Sequence, residues 1–551
     1  MTKQQFFKEI ISKILNNEIK KEKLESWKSK LSKKYNLDKI PKNSEVIEFG
    51  KLLYQKKFNH QSQMTQNLPT HLRCVIRLDA SITNEASAFQ KLKKFLQIKP
   101  VRTGSGVSVI AVMAMGDCPG KCIYCPRGEN APQSYTGVEP ATMRAKRAGY
   151  DPYRQVSDRI NQFEITGHTT DKCELIIMGG TFPALPKTFQ MNFVKRCFDA
   201  FNNKRSRTLK QAMKLNEKAR HRCVGLTIET RPDYCKKEHI NQMLNLGCTR
   251  VELGVQNLNE KILNLVNRGH KSDEVVEATR LLKDSGLKVC YHLMPGLTGL
   301  YGKISMKEER KIFDEIFSNL DFRPDLLKIY PTLVMPGTNL YELWKKRAYK
   351  PITIGQTTEL ILYLKKIVPK WVRIQRVQRD ISSKKIAAGP ILTNLRQMIH
   401  EKIKKQNITC SCIRCREVGH QNKRPEKINF KKLCYEASGS KEYFLSYEDS
   451  KNNILVGYLR LRIAYKPFRK ELKNIALVRE LHVYGEEVPL GLREKAKWQH
   501  KGYGKKLLEK AEKIAKQNKM KKIAVTSGVG VRNYYRKFDY KLVGTYMTKN
   551  L

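Results

Sequence analysis

Acidic residues are in short supply in this chain. Asp and Glu number 52 against 106 Lys and Arg, giving a formal net charge of +54 and a sequence pI near 9.9. A surplus of that size draws polyanions, because phosphate contacts release condensed counterions. The lysines are spread over every segment, so part of the excess is general composition; the remainder points to nucleic acid. Long apolar runs are also missing. No stretch of about eighteen apolar residues could cross a bilayer, and the opening MTKQQFFKEIISKIL lacks the apolar core of a secretory signal. No membrane is expected, and the expected location is the cytoplasm. A disulfide framework is not expected either, since the fourteen cysteines cluster as metal ligands and suit a reducing compartment. At 551 residues the chain has room for about three or four structural units.

One more absence is the most informative. Cys118, Cys122 and Cys125 stand in DCPGKCIYCPR, three cysteines with no fourth beside them and no histidine close by. A zinc knuckle wants a closed set of four N or S ligands. Iron–sulfur clusters take cysteine thiolates, and a cubane held by three of them keeps one iron open for a small molecule. The run resembles the signature of radical S-adenosylmethionine enzymes, which carry an aromatic residue before the last cysteine, here Tyr124. The resemblance implies a [4Fe-4S] cluster whose open iron takes S-adenosylmethionine.

The pattern around this loop is α/β. Strand-like runs at 107–115, 174–180, 224–230, 249–256, 288–296 and 326–332 alternate with helical runs near 187–200, 236–246, 272–285 and 304–319. Such alternation predicts a parallel sheet with helices outside it, here a partial (β/α)6 barrel over about 76–395. Chemistry in such a barrel gathers at the C-terminal ends of the strands. Those ends carry Gly179-Gly180-Thr181, Glu229-Thr230-Arg231, Gln256, His292, Lys328 and Tyr330, and the cysteine loop follows the first strand. In the radical enzymes the glycine pair lets the backbone approach the methionine amino group. Glu229 and Arg231 either pair with each other or hold the cofactor.

Residues 1–75 read as basic amphipathic helices, with Phe6, Ile10, Ile14 and Leu15 at helical spacing and lysines crowding 20–34. They form either a solvated cap or an arm that tracks RNA phosphates. Residues 396–440 read as a linker containing Cys410-x-Cys412-x2-Cys415, most of a tetrahedral zinc site. His420 is the nearest fourth ligand, with His400 or a more distant histidine as alternatives.

Over 441–551, strand-like runs 443–449, 454–463 and 475–484 precede Gln499-His500-Lys501-Gly502-Tyr503-Gly504 and the helical KKLLEKAEKIAKQ. A further strand, a short helix with Asn533-Tyr534-Tyr535-Arg536 and a last strand follow. Glycines at a helix start leave unpaired N–H groups accessible to an anion such as a diphosphate. The order resembles the acetyl-coenzyme A-binding fold of the Gcn5-related N-acetyltransferases (GNAT), with Gln-x-x-Gly-x-Gly as its pyrophosphate loop.

A radical cysteine loop, a zinc-like linker and an acetyltransferase domain, in that order, resemble the catalytic subunit of Elongator. MGGTFPALP (178–186), TIETRPDYC (227–235), ELGVQ (252–256), RELHVYG (479–485) and SGVGVRNYYRK (527–537) carry the match, and the compact cysteine spacing is similar to archaeal-type members. The resemblance implies modification of wobble uridine 34 in the anticodon stem-loop of tRNA. The acetyl group of acetyl-CoA would become 5-carboxymethyluridine by a radical route. Uracil C5 is too weak a nucleophile for ordinary acyl transfer, and cofactors carry such hard chemistry. It further implies that Lys172 contacts acetyl-CoA, that Glu480, Leu481, His482 and Val483 pair with the pantetheine arm, that Tyr503, Gly504 and Lys505 bind the pyrophosphate, and that Tyr535 lies near the thioester. A stand-alone enzyme and a subunit beside Elongator-like partners both fit. The alternative is a protein lysine acetyltransferase with a structural iron–sulfur cluster.

Overall fold

The structure, a computed structural model, describes residues 2–53, 80–98, 103–392, 394–421, 424–485 and 501–551. The end of the expected basic region at 54–75 and Gln499-His500 of the expected pyrophosphate loop lie outside the described residues. The chain forms two compact units, Met1–Thr103 with Asp158–Thr170, and Gly104–Ser157 with Asp171–Leu551.

In the first unit, helices α1 (Thr2–Leu15), α2 (Leu24–Lys34) and α3 (Ala80–Leu96) bury one apolar stripe each. Phe6, Ile10 and Ile14 from α1 meet Leu24 and Leu31 from α2 and Leu92 and Leu96 from α3 in a small core. The expected 3.6-residue spacing therefore marks a packed face; Lys30, Lys33 and Lys34 turn outward, while Lys28 is buried and bonds Glu25 and Asn43.

The second unit holds two sheets of seven strands. The first runs β1 (Ser108–Met113), β2 (Lys172–Met178), β3 (Arg222–Thr230), β4 (Arg250–Gln256), β5 (Lys288–Leu293), β6 (Leu326–Ile329) and β7 (Arg373–Arg376), each pairing parallel with the next. Helices α4 (Lys187–Asn202), α5 (Lys237–Asn245), α6 (Ser272–Asp284) and α7 (Met306–Ser318) fall between strands, as the pattern predicts. α6 shows why: Val275, Ala278, Leu281 and Leu282 form its buried stripe. A seventh strand extends the six expected ones. β7 is four residues of Arg-Ile-Gln-Arg, too short and polar to read as a strand until β6 supplies its partner.

The second sheet has the order β13-β14-β12-β11-β10-β9-β8, with only β11 and β12 parallel. Its strands are β8 (Asn429–Ala437), β9 (Ser440–Asp449), β10 (Ile454–Ile463), β11 (Ile475–Val483), β12 (Lys522–Val525), β13 (Lys541–Val543) and β14 (Tyr546–Asn550). Helix α8 (Tyr503–Gln517) lays Leu507, Leu508, Ala511 and Ile514 on this sheet, and α9 (Arg532–Arg536) follows β12. β8 lies within the span expected to be linker; its lysine-rich, mostly exposed residues are held by pairing with β9.

The sheets are joined by charge pairs, buried except for the half-buried Arg536. Arg479 donates to both Asp325 oxygens at 2.7 and 2.6 Å, Arg462 to Asp284 at 2.6 and 2.9 Å, and Arg536 to Glu217 at 2.7 Å. Every arginine here belongs to the second sheet's half and every acid to the first. Paired in this way, guanidinium and carboxylate tolerate burial that neither tolerates alone.

Candidate active site

β1 ends at Met113, and the chain turns into the cysteine loop at the C-terminal ends of the barrel strands. Two of its sulfurs meet different neighbours. Cys118 Sγ accepts from the Gly120 N–H at 3.4 Å and lies 3.2 Å from the Thr181 hydroxyl, while Cys122 Sγ accepts from Arg268 Nη1 at 3.4 Å. Among the described residues, these sulfurs do not converge as those of Cys410, Cys412 and Cys415 do, within 4.8 Å of one another. The wider set suits a multinuclear cluster and the tight set a single ion.

Gly179 and Gly180 close the same end, with φ of 115° and 69°. A side chain on Gly179 would run into the Ala114 carbonyl oxygen, and one on Gly180 would stand 3.3 Å from Cys118 Cβ. Arg231 spends Nε and Nη2 on Asp233, both at 2.9 Å, and among the described residues its buried Nη1 has no partner where it abuts Gly120. A buried N–H of that kind calls for an anionic or carbonyl acceptor. It therefore fits the carboxylate that S-adenosylmethionine would bring to an open iron. Gln256, at φ 67°, likewise keeps a buried side-chain oxygen without a partner among the described residues.

Glu229 and Arg231 do not pair with each other. Glu229 takes Lys328 at 3.3 Å and the Tyr135 hydroxyl at 3.3 Å. Lys328 also binds Glu252, which accepts from His292 Nε2 at 2.8 Å and lies 3.3 Å from Arg250. Arg250 reaches Glu174 at 2.5 Å. Burial opposes ionisation of Glu252, but Lys328, His292 and Arg250 hold its carboxyl well below the usual range. A column of alternating charge thus fills the barrel interior from strand starts to strand ends, where apolar layers are the rule.

The second sheet meets the barrel at the strand starts. β11 pairs with β12 only as far as Val478, so Glu480, Leu481, His482 and Val483 keep β10 on one side and, among the described residues, leave the other edge without a strand. An extended, amide-bearing ligand can complete such an edge. Leu481 packs on the α8 side, whereas Glu480 faces Lys288 at 4.0 Å and His482 Nε2 lies 3.2 Å from the Ser105 carbonyl. Burial opposes ionisation of Glu480, yet Lys288 and Arg460 bring it down to about 2.

At the head of α8, Gly502 adopts φ 84° and the first turn carries Tyr503, Gly504 and Lys505. A Cβ on Gly504 would lie 2.5 Å from the Tyr534 hydroxyl and 3.9 Å from Val483. The helix start, the open edge of β11 and Tyr534 therefore meet at one place. Tyr535, the expected tyrosine, is buried, with its ring 5.3 Å from Tyr534 and 5.9 Å from Tyr540. Burial pushes Tyr534 up to about 12 and Tyr535 further, so both phenols stay protonated. Lys172 opens β2 opposite Arg222, beside the place where Gly530 packs on Arg222. It stands at the strand-start end with β11, away from the cysteines. The two ends are separated by strands such as the seven-residue β4, about 20 Å long.

Cys410, Cys412 and Cys415 gather beside Lys365, whose Nζ lies 3.1 Å from Cys415 Sγ. Hydrogen bonds from Cys410 and Cys415 hold the Cys412 thiol well below its ordinary pKa. These three fit a zinc ion. His420 is instead engaged with Glu417 at 2.5 Å, and among the described residues no fourth ligand joins the three sulfurs at that spacing.

Arg268, Arg250, Glu252 and Asp325 escaped sequence reading. Gly269 marks a turn after Arg268, but nothing local marks a contact with Cys122, 146 residues away.

Comparison with known proteins accounts for this arrangement. Models of the radical SAM superfamily and its C-terminal domain match residues 112–302 and 324–405. The acetyltransferase (GNAT) family matches 412–540 and an ELP3 N-terminal domain matches 3–60. The chain is 55% identical over 474 residues to a tRNA uridine(34) acetyltransferase of Methanocaldococcus jannaschii, covering 83% of this chain and 86% of that one. It is 46% identical over 475 residues to human Elongator complex protein 3, again covering 83% and 86%. A solved structure of the archaeal Methanocaldococcus infernus Elp3 superposes with a TM-score of 0.72 at 49% identity, covering 81% of this chain and 100% of that one. The radical SAM match implies S-adenosylmethionine and a [4Fe-4S] cluster, and the GNAT match implies acetyl-CoA.

Proposed function

Since this chain belongs to the family of Elongator complex protein 3 and the archaeal tRNA uridine(34) acetyltransferases, we propose that it modifies wobble uridine of tRNA with the acetyl group of acetyl-CoA, forming 5-carboxymethyluridine. The observation that carries this reading is the pairing of two incomplete sites in one unit. One is a three-cysteine loop with a buried arginine N–H, the other a strand edge beside a helix start, and among the described residues neither has a partner.

Cys118, Cys122 and Cys125 would hold the cluster, and Gly179, Gly180 and Arg231 Nη1 the S-adenosylmethionine. Bound there, these groups supply the one-electron chemistry that an unactivated acetyl methyl and a weakly nucleophilic uracil carbon require. The chain's own work is positioning. Backbone groups of Glu480, Leu481, His482 and Val483 bind pantetheine amides, and N–H groups of Tyr503, Gly504 and Lys505 face the pyrophosphate. Lys172 adds a cation at the same end. Tyr534, beside Gly504, or its neighbour Tyr535 donates a proton to the departing thiolate; both remain protonated at neutral pH. Cys410, Cys412 and Cys415 hold zinc and fasten the segment before β8. The net charge of +54 supports binding of the anticodon stem-loop, whose unpaired bases present their edges to a protein.

The test is CoA release with tRNAs that differ at one base. Release that depends on uridine at position 34 is expected; equal release with cytidine there overturns the substrate assignment.

A further inference from the structure

Arg268 lies outside every role assigned above, yet its placement is unusually constrained. It is buried, 6% exposed, on the turn after the short helix Glu260–Leu265. Its Nε donates to the Gly254 carbonyl at 3.2 Å, and Nη2 donates to the same oxygen. That double hold aims Nη1 at Cys122 Sγ, 3.4 Å away. β4 makes room for this at a cost in strand propensity: a Cβ on Gly254 would lie 2.6 Å from Arg268 Nη2. Asp233, the nearby carboxylate, is already engaged by Arg231 on both oxygens, so it does not draw Arg268 away.

Cys118 and Cys122 are consequently unequal. Cys118 faces a backbone N–H and a threonine hydroxyl, both neutral, whereas Cys122 faces a guanidinium. Hydrogen bonds to the sulfurs and net charge are among the factors that set the potential of an iron–sulfur cluster. Charge-assisted donors are about twice as strong as neutral ones. A fixed cation donating to a ligand thiolate favours the reduced, more negative cluster. Arginine cannot lose this charge at any pH proteins experience.

We infer that Arg268 is a positioning residue that raises the reduction potential of the cluster held by Cys118, Cys122 and Cys125, through a charged N–H···S bond to Cys122 fixed by Gly254. The inference rests on the cluster assignment above. Its effect is electronic: the cluster accepts its electron from a milder donor than it would otherwise need.

The experiment starts from wild-type, Arg268→Gln, Arg268→Lys and Gly254→Ala proteins reconstituted anaerobically with iron and sulfide. Iron content is measured first, then the midpoint potential by EPR-monitored redox titration. At a fixed poise, Arg268→Gln should lower the reduced-to-oxidised ratio about tenfold, equivalent to about 59 mV for one electron. Arg268→Lys, with charge but no two-point hold, should fall between, and Gly254→Ala should move the potential the same way with the arginine still present. In reduced wild-type protein labelled with 15N-arginine, hyperfine coupling to an arginine nitrogen is expected, and it disappears in Arg268→Lys. Equal midpoints at equal iron content, or no arginine coupling in the wild type, overturn the inference with the cluster assignment intact. A wild-type protein that takes up no cluster overturns both. Should Arg268→Gln lose its iron, the coupling in wild type and the Gly254→Ala midpoint decide alone.

Discussion

Replacing Asp325 by asparagine removes the negative charge on which the second sheet is seated. Asp325 is fully buried and accepts from Arg479 at 2.7 and 2.6 Å and from the Val289 N–H at 2.9 Å, with Arg460 Nη1 at 3.5 Å. Burial alone would raise its carboxyl, but Arg479 and Arg460 hold it well below the carboxylate range. Breaking a buried pair by removing one partner costs about 3–5 kcal/mol, because a charge is left uncompensated. Asparagine keeps an oxygen for Val289, worth about 1 kcal/mol. The expected loss is therefore about 3 kcal/mol, roughly a hundredfold in the opening equilibrium. Native-state proteolysis reads this directly where cleavage tracks the open population: cleavage should quicken about a hundredfold. An acceleration below about threefold would refute the reasoning, since it would put the pair at the level of a surface ion pair. Asp325→Leu combined with Arg479→Met should open less than Asp325→Leu alone, because fewer buried charges stand unmatched.

Other expectations follow from the same contacts. Burial brings Lys283 down to about 7, beside Asp325 and Glu442 but also Arg479 and Arg462. Its pKa in the unfolded chain is about 10.4. Between those values the unfolded chain binds the extra proton, so stability climbs with pH from about 7 to about 10. Lys283→Met should flatten that climb in urea titrations. Gly504→Ala pushes a Cβ to 2.5 Å from the Tyr534 hydroxyl; overpacking of about 1–3 kcal/mol should weaken acetyl-CoA binding about tenfold to a hundredfold by calorimetry, at unchanged cluster iron. Cys412→Ser should abolish bound zinc by elemental analysis and lower the melting temperature, and a chelator should reproduce that fall in the wild type but not in the variant.

Much of the site was legible because its chemistry is local. Cys118, Cys122 and Cys125 sit within eight residues, Cys410 to Cys415 within six, and the glycine pair directly follows a strand. The barrel strands were legible for a related reason, since each is an apolar run bounded by helices. What stayed hidden depends on partners distant in sequence. β7 has charged ends and only four residues, so β6 rather than its own propensity makes it a strand. β8 is an exposed edge whose lysines mimic a linker. β10 carries Arg460 and Arg462, yet all ten of its residues are buried. Their acids, Asp325 and Asp284, lie 135 and 178 residues away. Glu229 and Arg231 are near neighbours in sequence, but Arg231 lies past the end of β3 and turns to Asp233. Tyr534 and Tyr535 could only be told apart once α9 was placed: one ring faces Gly504 and the other packs into the core.

The most direct test is to weigh the nucleosides. Anaerobically reconstituted protein is incubated with unmodified tRNA, acetyl-CoA, S-adenosylmethionine and a reductant, and the RNA is digested for mass spectrometry. 5-Carboxymethyluridine at position 34 is expected, dependent on both cofactors and lost in Cys122→Ala. Unmodified tRNA alongside stoichiometric acetylation of a protein lysine would contradict it.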